Sequence, residues 1–337
     1  MKFGVKTSGS TSSGYYLGLD TSCYTTSLAL TDAEGGVVQD CRRVLTVEKG
    51  ARGLRQSEAL FQHLKNLPEL VEAGASFRPL RGVAFSARPR PVAGSYLPVF
   101  LAGANFARVI AATAGVPLLP SSHQEGHIRA ALVGSGLTSE AFFGLHLSGG
   151  TTELLAVKRK PGGFTIKLLG GTSDLHAGQM VDRIGVALGL PFPAGPHLEA
   201  LAEKGEAKLR LPVAVQGMTV SFSGPTSAAL RYWESKVAPA DLARAVLDCL
   251  VESVFLLLKA GVETGEPGCH EVLIFGGVAS NAYLRRELVA RTAGLPRGLK
   301  VYFGETGLSS DNAVGLALLA REALAAGAGE GGKSRGE

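Results

Sequence analysis

Apolar and polar positions alternate in short bursts at the start of the chain, then settle into a helical rhythm. "YYLGLDTSCYTTSLALTDAEGGVVQD" predicts strand, small polar turn, strand, Gly-Gly turn and strand, an antiparallel meander. Residues 53–75 carry Leu54, Leu60, Leu64 and Leu67 at a spacing that predicts a helix. "RGVAFSAR" is a short buried strand, residues 97–114 a second helix rich in Ala and Leu, and "VPLLP" a further strand. The order then restarts. "FFGLHLSGGTTELLAVKRKPGGFTIKLLGG" is again strand, Ser/Gly/Thr turn, strand, glycine turn and strand. Two meanders with hydroxyl-rich first turns, each followed by helices and further strands, predict an internally duplicated α/β protein of two lobes. A single doubly wound sheet with an insertion, or two unrelated α/β domains, are the competing architectures.

Composition narrows the class without naming a function. The 337 residues are 45% hydrophobic and 19% charged, the profile of a globular protein with room for two domains. A formal net charge of +5 permits contact with a polyanion such as RNA, but no Lys/Arg block stands out. Cys23, Cys41, Cys249 and Cys269 lie far apart with no CxxC pair, so free thiols in a reducing compartment are expected. The N-terminal stretch lacks the apolar core of a signal peptide, and no apolar run is long enough to span a membrane. A disordered leader (1–14), an N-terminal lobe (15–120) completed by a helix over 311–326, a second lobe (121–310) and a loose tail (327–337) are expected. So is a cytoplasmic location with no membrane contact.

Candidate chemistry begins at "SSHQEGHIRAAL". A helix capped by Ser121 or Ser122 would project His123 and His127 from one side, one turn apart. Two imidazoles do not fill a metal shell, and a third ligand must come from elsewhere. Asp311, in "GLSSDNAVGLALLA", stands at the start of an apolar helix. It serves either as an N-cap or as the carboxylate of a His-His-Asp set with positions open to substrate oxygens. Glu125 points away from both histidines and is not counted. The small side chains of "DTSCYTTS" and "SGGTT" suit anion-binding nests or, equally, ordinary tight hairpins. "EVLIFGGVASNAYLRREL" runs an apolar strand into Gly276-Gly277, with a helix from near Ser280 and Asn281 in its first turn. A ring or sugar can approach closely there. Asp174 and Asp182, near the rigid "PAGP" turn, either hold ribose hydroxyls or a second ion, or are solvated acids.

In this order the segments resemble the TsaD family, formerly the glycoprotease Gcp, which makes threonylcarbamoyladenosine in tRNA. "HQEGH" is similar to the family's "HMEGH", "LSGGTTEL" to "VSGGHTQL", "VSFSGPTSA" to "FSFSGLKTA", "GGVASN" to "GGVAAN", and "SSDNAVGLA" to "CTDNGAMIA". "GGTSDLHAGQMVDR" followed by "LGLPFPAGP" is similar to "GESIDDAAGEAFDK" followed by "LGLxYPGGP". The matches run from about Leu17 to about Leu319. The resemblance implies a duplicated two-lobe actin/hexokinase/Hsp70-like (ASKHA) fold with a ligand cleft between the lobes. It implies one divalent ion, iron or zinc, on His123, His127 and Asp311. It also implies threonylcarbamoyl-adenylate, or an ATP/AMP-type nucleotide, on Leu147, Ser148, Gly149, Gly150, Thr151, Asp182, Gly195, Gly276, Gly277 and Asn281. In the family reaction the exocyclic amine of the tRNA adenosine beside the anticodon attacks the carbamoyl carbon and AMP leaves. TsaB-like and TsaE-like bacterial proteins are the expected partners.

Five positions depart from the family pattern. Its "TSCDET" is "TSCYTT" here, so two acids become Tyr24 and Thr25; the histidine of "SGGHT" is Thr151; Leu175 replaces the second acid of "DD", and Gln179 the glutamate of "AGE". Thr151 and Asp20 are the remaining candidates for a catalytic role. Two functions stay open: a threonylcarbamoyl- or other carbamoyl-type transferase, and a non-catalytic nucleotide-binding paralogue acting through protein partners. A zinc peptidase is disfavoured because Gln124, not glutamate, follows the first histidine. A small-molecule kinase, which would use Asp20 to organise magnesium, does not call for the histidine pair.

Overall fold

The computed structural model describes residues 14–22, 24–47, 54–73, 79–295 and 298–330. Cys23, residues 1–13 of the expected leader and residues 331–337 of the expected tail lie outside the described residues. The chain runs β1 (Tyr15–Asp20), β2 (Thr25–Thr31), β3 (Val37–Val44), α1 (Gln56–Glu72), β4 (Leu80–Arg88), α2 (Phe100–Ala114), β5 (Leu118–Ser122) and α3 (His123–Ala131). A second series follows: β6 (Ala141–Leu147), β7 (Thr152–Lys160), β8 (Gly163–Thr172), α4 (Ala177–Ala187), α5 (Gly195–Ala202), β9 (Ala214–Gln216), β10 (Thr219–Ser221), α6 (Ser223–Glu234) and α7 (Pro239–Glu263). Then come β11 (Glu271–Phe275), α8 (Ala282–Thr292), β12 (Lys300–Phe303) and α9 (Val314–Glu330).

Two sheets carry the duplication. One has the order β3-β2-β1-β4-β5; the other, β12-β11-β6-β7-β8-β10-β9, repeats that order in β8-β7-β6-β11-β12 and adds a hairpin at one edge. In both copies the first strand is antiparallel to the second and parallel to the fourth, and the fourth is parallel to the fifth. The likeness that is slight in sequence is therefore plain in topology. It is the two-meander architecture the hydrophobic pattern predicts.

The chain divides into two compact units. The first comprises Met1–Ala130, Arg159–Thr165 and Asp311–Glu337; the second comprises Ala131–Lys158 and Ile166–Ser310. The division falls after Ala130 instead of at 120/121, because α3 packs with the first unit. Leu17, Leu19, Leu28 and Leu30, all fully buried, join residues of α1 and α2 in one core of that unit. On its other side β1 meets α9: a Cβ on Gly18 would stand 2.2 Å from the Ala313 carbonyl oxygen. Burial on both faces is why β1 and β4 read as nearly continuous apolar runs. In the second unit a long apolar α7 fills the centre of the core, with Phe143, Leu145, Leu147 and Ile274 on the sheet side.

Two local features set α3. Ser122 and Glu125 form a reciprocal capping box: the Glu125 N–H donates to Ser122 Oγ (3.2 Å), and Glu125 Oε2 accepts from the Ser122 N–H (3.0 Å). The buried Glu125 also accepts from the Phe164 N–H at 3.3 Å, so it is a structural acid turned away from the histidines. Glycine does the rest, because an added Cβ on Gly315 would lie 1.9 Å from the Gly126 carbonyl oxygen and 2.8 Å from Ala130 N. The α3 and α9 backbones touch directly. Gly315→Ala must push them apart, an overpacking cost of about 1–3 kcal/mol. Its melting temperature is expected to fall by several degrees in a calorimetric scan, whereas Gly224→Ala, where nothing lies within 4 Å of the added Cβ, does not lower it.

Candidate functional site

His123 and His127 both present Nε2 to one point, and the turn before α9 brings Asp311 to the same point from 184 residues further along. The two Nε2 atoms are 2.9 Å apart, and Asp311 Oδ1 is 3.2 Å from His127 Nε2 and 3.8 Å from His123 Nε2. Donors at about 2.1 Å from one ion, with tetrahedral to octahedral angles, would be separated by roughly 3.0–3.4 Å. The observed triangle brackets that range. Two imidazoles and one carboxylate on one side of a point, with no lysine or arginine among them, fit a divalent first-row ion with coordination positions left for substrate. Just before α9, Asn312 Oδ1 accepts from the Val314 N–H at 3.0 Å, and Asp311 Oδ1 faces the histidines.

Asp20 supplies what the ligands alone lack. Its Oδ2 lies 2.7 Å from His123 Nδ1, so His123 donates there and directs Nε2 into the site, the usual arrangement behind a metal-binding imidazole. Asp20 is buried and also accepts from the Ser22 hydroxyl (3.1 Å) and from that of Ser86. Burial alone would raise its pKa; the His123 charge and the hydrogen bonds from His123 and Ser86 outweigh burial and the opposing Asp311 charge, and hold it below the ordinary carboxylate range. His123 mirrors this. Burial pushes the imidazole down, but the Asp20 carboxylate, with Asp311 adding to it, raises its pKa to about 9. Asp20 is thus committed to His123 and acts through it.

The second unit holds the glycine-rich loops. Ser148 closes its own turn: its N–H donates to the Thr151 carbonyl (2.8 Å), while its Oγ accepts from the amides of Thr151 (3.0 Å) and Gly150 (3.3 Å). Those two amides, expected to cradle an anion, are therefore engaged by a hydroxyl. The outer sides of Gly149 and Gly150 have no atom within 4 Å of an added Cβ. Leu147 is fully buried in the core, and only its backbone is near the loops: a Cβ on Gly276, at φ +101, would stand 2.3 Å from the Leu147 carbonyl oxygen. Gly276 is thus demanded by a close backbone approach, while nothing crowds Gly277. Gly277–Ser280 form a 3-10 turn and α8 begins at Ala282, so Asn281 is the N-cap, its Oδ1 accepting from the Leu284 N–H at 2.7 Å.

Asp182 accepts from the Ala194 N–H (2.8 Å), holding the "PAGP" turn from which Gly195 opens α5 with free space around it. Glu199 on α5 accepts from the Ala282 (2.6 Å) and Tyr283 (3.1 Å) N–H groups, tying α5 to the first turn of α8. Sequence reasoning passes over Glu199 because its partners lie 83 and 84 positions away and no local spacing reports them. Asp174 is exposed and well supplied with partners. It accepts from the Phe222 (2.9 Å) and Leu175 (2.6 Å) N–H groups and from the hydroxyls of Ser221 and Ser223. Desolvation would raise its pKa, but these bonds prevail and lower it.

The departures from the family pattern have visible structural places. Leu175 packs against the second core, and Gln179 Oε1 accepts from the His176 N–H (3.1 Å) at the start of α4. Tyr24 is 43% exposed and Thr25 opens β2. Thr151 is half-buried in the Ser148 turn.

Fold and site define a class first: a two-unit α/β protein of the actin/hexokinase/Hsp70-like type, with a bis-histidine-carboxylate cluster in one unit and hydroxyl- and glycine-rich turns in the other. Solved structures carry the same fold. HypF of T. kodakarensis matches with a TM-score of 0.58 at 16% identity, over 95% of this chain and 48% of that one. A ROK family glucokinase from Streptomyces griseus, in complex with glucose and AMPPNP, matches at 0.51 and 13% identity, over 91% of this chain and 99% of that one. The family is given by sequence. The family model for TsaD, tRNA N6-adenosine threonylcarbamoyltransferase, matches residues 49–318. The tRNA N6-adenosine threonylcarbamoyltransferase of Aromatoleum aromaticum is 33% identical over 331 residues, covering 94% of this chain and 92% of that protein. The chain belongs to the TsaD family.

A pH dependence follows from the raised pKa of His123. In chelator-treated protein the charged His123–Asp20 pair contributes stability in full below the unfolded imidazole value of about 6.5, and loses it as pH rises through about 9. Metal binding needs neutral imidazoles, so affinity for Zn2+ or Fe2+ is expected to rise with pH across that window and level off above it. Asp20→Asn should bind the ion about 10- to 100-fold more weakly, read by competition with a chromophoric chelator.

Proposed function

We propose that this chain transfers a threonylcarbamoyl group from threonylcarbamoyl-adenylate to the exocyclic amine of the tRNA adenosine next to the anticodon. Membership of the TsaD family supports the reaction. The observation that carries it is the convergence of His123, His127 and Asp311 on one point. These three hold the divalent ion, iron or zinc, which supplies Lewis acidity toward the carbamoyl oxygen when bound. Ser148, Gly149, Gly150 and Thr151, with Asp182, Gly195, Gly276, Gly277 and Asn281, form the nucleotide-binding surface. Gly149, Gly150, Gly195 and Gly277 offer open backbone, and Asn281 offers its amide NH2, since its oxygen caps α8.

In the reaction the amine nitrogen bonds to the carbamoyl carbon, the bond from that carbon to the AMP oxygen breaks, and one amine proton is released. AMP is a good leaving group as an anion, so the step does not require a strong acid beside it. The chain's own contribution is orientation and charge stabilisation. Asp20 is a positioning residue that keeps His123 Nδ1 protonated and its Nε2 turned inward. The reaction takes place in the cytoplasm, on tRNA, with TsaB-like and TsaE-like proteins as partners. No helix of the described residues is long and apolar enough to cross a membrane.

Purified protein incubated with threonylcarbamoyl-adenylate, unmodified tRNA and those partner proteins should yield the modified nucleoside on digestion and mass spectrometry. His123→Ala and His127→Ala should each reduce the yield by about 100-fold or more while nucleotide binding persists. Protein that binds metal and nucleotide yet forms no modified nucleoside would replace this function with that of a nucleotide-binding paralogue acting through partners.

A further inference from the structure

Between Asp182 and Glu199 the sequence contains no Asp or Glu, yet it contains Arg183 and His197, both exposed. The two acids that bound the stretch are turned onto backbone amides, Asp182 onto that of Ala194 and Glu199 onto those of Ala282 and Tyr283. The exposed Glu203 comes only at the far end of α5. On α6, which packs against α4, no acid occurs from Ser223 to Trp233, and Arg231 is exposed. Asp174 is exposed, but the Ser221 and Ser223 hydroxyls and the Phe222 and Leu175 amides saturate it. Neither Arg183 nor Arg231 has an ion-pair partner among the described residues. The basic character of this side lies in its missing and committed acids, not in any run of basic residues.

The chain doubles back where α4 ends. Gly189 takes φ +78, and the Leu190 N–H donates to the Gly185 carbonyl at 2.9 Å. Further on, Ala194 lies against the helix again: a Cβ on Gly185 would stand 2.3 Å from Ala194 Cβ, and Asp182 Oδ1 accepts from the Ala194 N–H at 2.8 Å. Pro191 and Pro193 fix the φ angles on either side of Phe192. A segment anchored at both ends thus presents one ring. Phe192 is 74% exposed, more than any other large apolar side chain among the described residues. A phenyl ring left in water forgoes the roughly 1.5–3 kcal/mol that burial contributes, and a stiff turn that holds it there suits a partner with a flat face. Val186, 54% exposed, stands one turn along α4 from Arg183 and extends the apolar surface beside the guanidinium. An unpaired base offers the flat face, and its phosphate matches an arginine that has no carboxylate partner.

We propose that Phe192 is a stacking platform for an unpaired base of the tRNA anticodon loop, with Arg183 on a backbone phosphate. This rests on the proposed function, in which the adenosine beside the anticodon must be brought to threonylcarbamoyl-adenylate. Gly195, three residues after Phe192, belongs to the proposed nucleotide-binding surface, so the platform borders the place where the two substrates meet.

Binding of unmodified tRNA to the full-length protein, measured by filter retention across a range of NaCl concentrations, tests it. Phe192→Ala and Phe192→Leu should each weaken binding about fivefold or more, and Phe192→Tyr should not, which separates stacking from plain apolar contact. Arg183→Ala should flatten the slope of log K against log salt by about 0.7–0.9, the loss of one phosphate contact, and Arg183→Lys should restore it. Affinity for AMP and melting temperature should match the parent in every variant, which separates loss of contact from loss of fold. If the parent binds tRNA and the alanine variants bind it equally with the same slope, the platform is refuted and the transferase function stands. Intact tRNA binding with AMP affinity lost makes Phe192 part of the nucleotide site and refutes the platform. Intact tRNA binding with association of a TsaB-like protein lost makes the turn a protein-docking surface and refutes it too. A parent protein without tRNA affinity overturns both the platform and the tRNA reaction.

Discussion

The first unit depends on two side chains that are not there. Gly18 on β1 and Gly315 on α9 let the last helix of the chain press its backbone against the first strand and against the helix that carries both histidines. A Cβ at either position would overlap main-chain atoms, 2.2 Å from the Ala313 carbonyl oxygen at Gly18 and 1.9 Å from the Gly126 carbonyl oxygen at Gly315. Asp311 lies just before α9, and Asp20 at the end of β1. Seating α9 on β1 therefore fixes both carboxylates against the same reference, and seating it on α3 adds the imidazoles. A cluster drawn from positions 20, 123, 127 and 311 owes its geometry to backbone packing more than to any bond between its members.

The acids of this protein illustrate how burial and partners sort carboxylates into roles. Asp20 is enclosed, yet its bonds run to one imidazole and two hydroxyls, and that imidazole belongs to the His123–His127–Asp311 cluster. Asp174 also has a lowered pKa, but its donors are the amides and hydroxyls of a turn, and saturating it holds the start of α6 in place. Glu125 is saturated in the same structural way by Ser121, Ser122 and Phe164. A perturbed carboxyl is thus not by itself a mark of chemistry. What separates Asp20 is that its partner is a ring of the candidate metal cluster.

Local pattern made much of this legible. The two meanders announced the duplication, and the serine before "HQEGH" announced the cap that orients the histidine pair. The pairing of Asp20 with His123 spans 103 positions and leaves no local trace, so Asp20 invites comparison with a kinase acid until its partner is visible. "SSDN" left Asp311 open as N-cap or as carboxylate ligand; in the structure Asn312 accepts from the Val314 N–H, and Asp311 Oδ1 turns to the histidines. The hydroxyl-rich turn of the second unit suggested free amides; Ser148 takes two of them, because a serine at the first position of a tight turn is itself the nearest acceptor.

The substituted positions also bear on where rate can come from. Leu175 belongs to the second core, Gln179 caps α4, and Thr151 ends a closed turn, so none of these places offers a proton acceptor near neutral pH. A positioned base contributes on the order of 10²–10⁴ in rate. Alignment of two reactants is worth effective molarities of up to about 10⁵–10⁸ M, and aimed positive charge contributes further. A weakly basic amine attacking an activated carbonyl, with a leaving group that departs unprotonated, draws mainly on the latter two. In the proposed reaction those two would come, in the first unit, from His123, His127 and Asp311 with the ion they would hold, and from the buried Asp20 that positions His123.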